Sequence, residues 1–264
     1  GMGFKDLSTL IANKVREKDE DVFKNAAEIE GFINKVEHPT QATILKESFI
    51  KNFMLQAKNN FDTTNGGFSL KPKFPQASTL NTLLTIDKLY DDKSAKSMAT
   101  DTLNAMKRGG MYDLIDGGFC RYSTDNEWKV PHFEKMLYDN ALLTGVYTDA
   151  YLSYDDNSYL QTAKECADFW HNFMSEDDLF YSASDADSEG TEGTYFVYTY
   201  EEVYSCLVNA GYEDIESMCE EMSVTHLGNF EGKNIIRFKD GIPEWFSDVK
   251  VSLRIMVKLL MKRA

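Results

Sequence analysis

Arg121, Tyr122, Asp125, Glu127, His132 and Glu134 all fall within one stretch, GGMYDLIDGGFCRYSTDNEWKVPHFEKMLYDNA, running from Gly109 to Ala141. A histidine is the side chain best suited to exchanging a proton near neutral pH, and Glu134 or Asp125 can accept one, hold the imidazole or bind a hydroxyl. A base beside a sugar carbonyl exchanges the proton on the adjacent carbon. A carboxylic acid paired with a carboxylate instead cleaves a glycosidic bond. A purely structural arrangement is equally open: Arg121 paired to Asp125 or Asp113, Glu134 near Lys135 or Lys129, and His132 fastening the loop by one hydrogen bond.

A second acidic group, Asp185, Asp187, Glu189 and Glu192, lies in YSASDADSEGTEGTYFVYT. Carboxylates this close repel unless separated or paired, so one of them, Asp185 or Asp187, is a candidate to keep its proton and act as an acid. Either residue can equally turn a hairpin through backbone hydrogen bonds. The start of this run is similar to a calcium loop, but Phe196 stands where the closing Glu belongs. Two further stretches, GGFSLKPKFPQ and GNFEGKNI, concentrate Gly with aromatic and ionisable residues. Aromatic faces such as Phe74 and Trp128 can stack on the apolar face of a sugar ring while carboxylates bind its hydroxyls.

Other chemistries find no support. There is no G-x-G-x-x-G after a strand, no Walker loop, no G-x-S-x-G elbow and no H-E-x-x-H. His38, His171 and His226 are scattered, and Cys120, Cys166, Cys206 and Cys219 form no C-x-x-C pair. No metal or cofactor is expected, and the cysteines read as thiols in a reducing compartment.

The elements that must position these groups are mostly helical. Apolar residues recur three and four positions apart near 4–17, 20–36, 41–58, 78–90, 94–107, 133–153 and 158–173, with further helices near 200–209 and 247–262. On this reading Pro131 opens the sixth helix and His132 lies at its first turn. The brief connections at 91–93 and 154–157 predict antiparallel helical hairpins, whereas the long Gly-rich loops at 59–77 and 108–131 are where a binding surface is expected. A small β-hairpin is expected around 181–198, with LFYSASD and GTYFVYTY on either side of its acidic turn. The expected class is all-α, an incomplete α/α toroid with a small β-hairpin insertion, as one domain over residues 1–264.

The chain carries 28 Lys plus Arg against 43 Asp plus Glu, a net charge of -15. That field disfavours nucleic acid and anionic membranes as partners. No segment has the length and apolarity of a spanning helix or a signal peptide, so a soluble, cytoplasmic protein is expected.

The four signature stretches, in this order, resemble the DUF255 family, the thioredoxin-domain-containing proteins related to YyaL and to spermatogenesis-associated protein 20. The resemblance implies a toroid of six helical hairpins similar to N-acylglucosamine 2-epimerases and six-hairpin glycosidases, with a pocket where the Gly-rich loops gather. Arg121, Tyr122, Asp125, His132 and Glu134 correspond to one family signature, and Asp185, Asp187, Glu189 and Glu192 to its acidic one. The family's thioredoxin-like C-x-x-C segment does not occur here, so the chain reads as a central piece that self-associates or curls into a partial ring. The implied activity is that of a carbohydrate epimerase or isomerase. Glycoside hydrolysis and a noncatalytic binding or scaffold module stand as alternatives.

Overall fold

The computed structural model describes residues 3–37, 48–188 and 190–261. Of the expectations above, His38, residues 41–47 of the third helix and Glu189 lie outside the described residues. The chain packs as two units, Gly1–Asn52 and Phe53–Ala264.

In the first unit, helices α1 (Phe4–Arg16) and α2 (Glu20–Glu37) pack as a pair. Asp19 shapes their junction: its carboxylate accepts from the backbone N–H of Asp21 and takes a 2.7 Å ion pair from Lys14.

The second unit contains most of α3 (Ser48–Asn60) and then α4 (Ala77–Tyr90), α5 (Lys93–Arg108), α6 (Leu137–Tyr154), α7 (Asn157–Phe173), α8 (Tyr200–Asn209), α9 (Ile215–Glu221) and α10 (Phe246–Met261). Two hairpins dominate, α4 with α5 and α6 with α7, and α4 also packs on α6. Both hairpins turn through the same tripeptide, Tyr-Asp-Asp. Asp91 and Asp155 take left-handed backbone angles, φ 52° and 54°, that end one helix. Asp92 and Asp156 then cap the next, their carboxylates accepting from the N–H groups of Ser94 and Ser158 at 2.8 Å. Leu80, Leu83, Leu103, Leu143 and Tyr147 are fully buried between these helices, and the Tyr147 hydroxyl donates to the Leu103 carbonyl at 2.8 Å. Each such leucine contributes about 1.5–3 kcal/mol by leaving water. The class is therefore all-α, built of successive α/α hairpins.

The strands are all two residues long. They comprise β1 (Tyr122–Ser123), β2 (Pro131–His132), β3 (Lys135–Met136), β4 (Ser175–Glu176), β5 (Leu179–Phe180), β6 (Ala183–Ser184), β7 (Asp187–Ser188) and β8 (Thr191–Glu192), paired antiparallel as β1–β2, β3–β6, β4–β5 and β7–β8. The small acidic hairpin is thus present, as β7–β8. Its flanks do not pair with each other: Ala183–Ser184 joins Lys135–Met136, and Tyr198 bridges to Asn234.

The sixth helix starts later than its spacing suggested, at Leu137 rather than near residue 133. Residues 131–136 are extended and alternate strictly between buried (Pro131, Phe133, Lys135) and half-buried (His132, Glu134, Met136). Phe133 and Met136 stand three apart and so imitate a helical stripe, but the buried face is completed by a lysine. His132 therefore sits on a strand, not at the first turn of a helix.

Two wholly buried lysines fasten the Gly-rich loops. Lys73 Nζ donates to Asp62 Oδ2 (2.7 Å), the Gly66 carbonyl (2.8 Å) and the Asn126 carbonyl (2.7 Å), using all three of its protons. Lys135 Nζ donates to Asp113 Oδ2 (2.8 Å) and the Gly117 carbonyl (2.7 Å), 3.8 Å from the centre of the Phe169 ring. Burial pushes the Asp62 carboxyl up, yet hydrogen bonds from Lys73, Asn65 and Thr64 outweigh it and hold the group at about 2.

Candidate functional site

Antiparallel pairing of β1 with β2 sets Tyr122 opposite His132, and their rings stack with centroids 5.0 Å apart at 23°. Phe74 also packs against Tyr122, with centroids 5.0 Å apart. The alternation of the extended segment places Glu134 on the same side as His132. Glu134 Oε2 accepts from Arg121 Nη1 at 3.1 Å and lies 3.9 Å from His132 Nε2. From the β7–β8 hairpin, Glu192 brings Oε1 to 2.8 Å from His132 Nδ1.

The imidazole consequently stands between two carboxylates while its side chain stays 29% exposed. An ionised carboxylate only accepts, so the contact with Glu192 has Nδ1–H donating and leaves the lone pair of a neutral ring on Nε2. That nitrogen is on the Glu134 and Arg121 side. In that tautomer Nε2 is the ring nitrogen with a lone pair to accept a hydrogen bond.

One neighbour escaped the sequence reading. Asp139, in the first turn of α6, is half-buried; burial pushes its carboxyl up, opposed by Tyr138 and Arg121. Its Oδ2 and the Arg121 Nε are both buried without a hydrogen-bond partner among the described residues. Asp139 lies in LYDNA, inside a helical pattern, and nothing in its spacing distinguishes it from a surface acid.

The remaining sequence candidates divide by environment. Asp125 accepts from the N–H groups of Glu127 (2.6 Å), Lys129 (3.2 Å) and Val130 (2.7 Å) and so folds its own turn. Trp128 is fully buried in a left-handed conformation (φ 60°), its Nε1 donating to the carbonyls of Asn65 and Gly66. It packs so closely on Gly67 that a Cβ there would stand 2.7 Å from its ring. Asp185 and Asp187 are exposed, joined by a 3.2 Å bond from the Asp187 N–H to Asp185 Oδ1. Glu192 is the described member of the acidic group that reaches His132.

The buried pairs Lys73–Asp62 and Lys135–Asp113 were also missed, since each joins loops that local patterns cannot connect. All four cysteines are buried and unpaired. Among the described residues, no group of three or more His, Cys, Asp and Glu is placed to hold a metal ion, and no helix is long and apolar enough to cross a membrane.

No family model matches the chain. Among curated proteins, spermatogenesis-associated protein 20 of Mus musculus is 36% identical over 220 residues, which is 79% of this chain and 28% of that protein. The Homo sapiens protein of the same name is 34% identical over 237 residues, 85% of this chain and 30% of that protein. Among solved structures, a sugar epimerase from a ruminal bacterium matches with TM-score 0.47 and 16% identity over 64% of this chain and 50% of that one. A cellobiose 2-epimerase from Spirochaeta thermophila matches with TM-score 0.45 and 14% identity over 81% of this chain and 52% of that one. Structural likeness at that level carries nothing about chemistry. The chain spans under a third of the length of the mammalian relatives, and over that span it is a homologue of spermatogenesis-associated protein 20.

Proposed function

We propose that the face formed by Phe74, Tyr122, His132, Glu134 and Glu192 is a proton-transfer site for a small reducing carbohydrate, of the epimerase or isomerase type. One observation supports it above the rest: a half-exposed imidazole hydrogen-bonded at Nδ1 by Glu192 at 2.8 Å and stacked on Tyr122. The side chain stays 29% exposed, so a small molecule can reach the ring. The four unpaired thiols fit a reducing, cytoplasmic setting.

In this reading His132 Nε2 removes the proton from the carbon next to the sugar carbonyl, and the electron pair of that C–H bond moves onto the carbonyl oxygen to give an enediolate. Arg121 is the cation beside the site that can stabilise the oxyanion. When the enediolate turns its other face to the ring before His132 returns the proton, the carbon is inverted; returning it to the former carbonyl carbon, with the proton of the neighbouring hydroxyl moved to oxygen, yields the isomer. Glu192 holds the ring in its tautomer and supports the imidazolium. Tyr122 and Phe74 flank the sugar.

Exchange of solvent deuterium into the C2 position of reducing sugars tests this, comparing the native chain and the complete relative with their His132→Gln forms. Exchange that disappears in the folded variant supports the proposal, whereas exchange that persists removes His132 from the mechanism. A noncatalytic binding or scaffold module is the second reading. It draws on Trp128, Asp125, Lys73 and Lys135, signature residues satisfied within the fold, and absence of exchange with any sugar favours it.

A further inference from the structure

Away from the His132 face, a cleft of about 480 Å³ opens between the end of α5, the first turns of α7, residues 240–244 and the start of α10. It adjoins a second cavity of about 300 Å³, with Gln161, Glu165, Ser247 and Lys250 lining both. The larger volume falls within the size range of small-molecule sites.

Charge in this cleft is sorted by depth. Lys107 and Arg108, the last two residues of α5, are half-buried in its wall. Among the described residues no carboxylate lies within ion-pair distance of either. Lys107 Nζ donates to Ser158 Oγ and stands 4.7 Å from the centre of the Tyr159 ring. The nearby Asp156 acts on it only through space, its carboxylate being engaged as the cap of α7. Burial is the larger effect on Lys107 and pushes its ammonium down.

The other charges are compensated or remote. Lys250 is bound at 2.6 Å by Glu165, and the Glu165 carboxylate also accepts from the Tyr112 hydroxyl (2.6 Å) and from Gln161 Nε2 (2.8 Å). Asp240 and Glu244 lie on the exposed rim. Lys107 and Arg108 are half-buried without a carboxylate partner among the described residues, so each gives up part of its hydration, a loss that the counter-charge of a ligand offsets. Ser158, beside Lys107, and Gln161, beside Glu165, add neutral hydrogen-bonding groups to the lining.

We propose that this cleft binds an oxyanion group, phosphate or carboxylate, of a small molecule, held by Lys107 and Arg108. The site is independent of the His132 reading.

Isothermal titration of the 264-residue chain with inorganic phosphate, and in parallel with citrate, tests it and separates the two kinds of oxyanion. Saturable binding of either is expected, weakening with added salt. It should weaken at least about tenfold in the Lys107→Met, Arg108→Gln double variant, the loss of one charge-assisted hydrogen bond. Met keeps the aliphatic stem packed on Tyr159. Ser247→Glu, on the exposed rim at the first turn of α10, favours that helix through its dipole and sets a negative charge at the cleft, so it should weaken binding similarly while the protein stays folded. Failure of both anions to bind saturably, or affinity unchanged in both variants, overturns the proposal.

Discussion

His132 and Glu192, sixty residues apart in sequence, meet through a 2.8 Å hydrogen bond from Nδ1 to Oε1. Because Glu192 fixes the tautomer, Glu192→Gln should leave the fold intact but lower any deuterium exchange on the order of 10²-fold, as expected for a disturbed acid–base group. Circular dichroism and exchange rates on the same samples check this. Equal rates in the variant would show that Glu192 does not serve the imidazole.

Lys135 is wholly buried, and Asp113 is its only carboxylate partner among the described residues. Lys135→Met should destabilise the protein by about 3–5 kcal/mol, since a buried carboxylate loses its counter-charge. Adding Asp113→Asn should recover part of that loss while keeping the Asp113 turn, whose side chain accepts from the N–H groups of Ile115 and Asp116. Urea unfolding of the three forms decides the matter.

Asp62 gives a pH signature. Its folded carboxyl, held at about 2, lies below its ordinary value of 3.8, so the unfolded chain binds the proton more tightly. The stabilisation is fully present above that ordinary value and is lost as pH falls through it towards 2. The urea midpoint should therefore drop across this window, and Asp62→Asn should flatten this part of the drop. A profile of unchanged slope in the variant would assign the acid sensitivity elsewhere.

The two Tyr-Asp-Asp turns predict matched effects. Asp92→Ala and Asp156→Ala each remove the acceptor for a first-turn N–H, and each should cost about 1 kcal/mol by thermal or urea unfolding. A variant with no measurable loss would show that its cap adds nothing to that helix.

How much of this was readable in sequence follows the range of the interactions. Helices α4 to α7 and their turns were visible because apolar spacing and brief connections are local signals, and the residues around His132 were found because their types are rare together. The strand carrying His132 was hidden: Lys135 at a core position broke the alternation, while Phe133, Met136 and Leu137 mimicked helical spacing. What buries that lysine is Asp113, twenty-two residues earlier, a partner that no local window contains. Likewise both ends of the His132–Glu192 contact were singled out, but their meeting depends on where two short ladders fold back, not on spacing.

The ladder between β3 and β6 pairs Lys135 with Ser184 and Met136 with Ala183. The strand that continues from His132 and Glu134 therefore also anchors the base of the acidic hairpin. Beyond that anchor the chain runs into the β7–β8 hairpin, where Asp187, Gly190 and Thr191 are exposed. Length or charge can therefore change at that outer turn while the β1–β2 and β3–β6 ladders keep His132 in register.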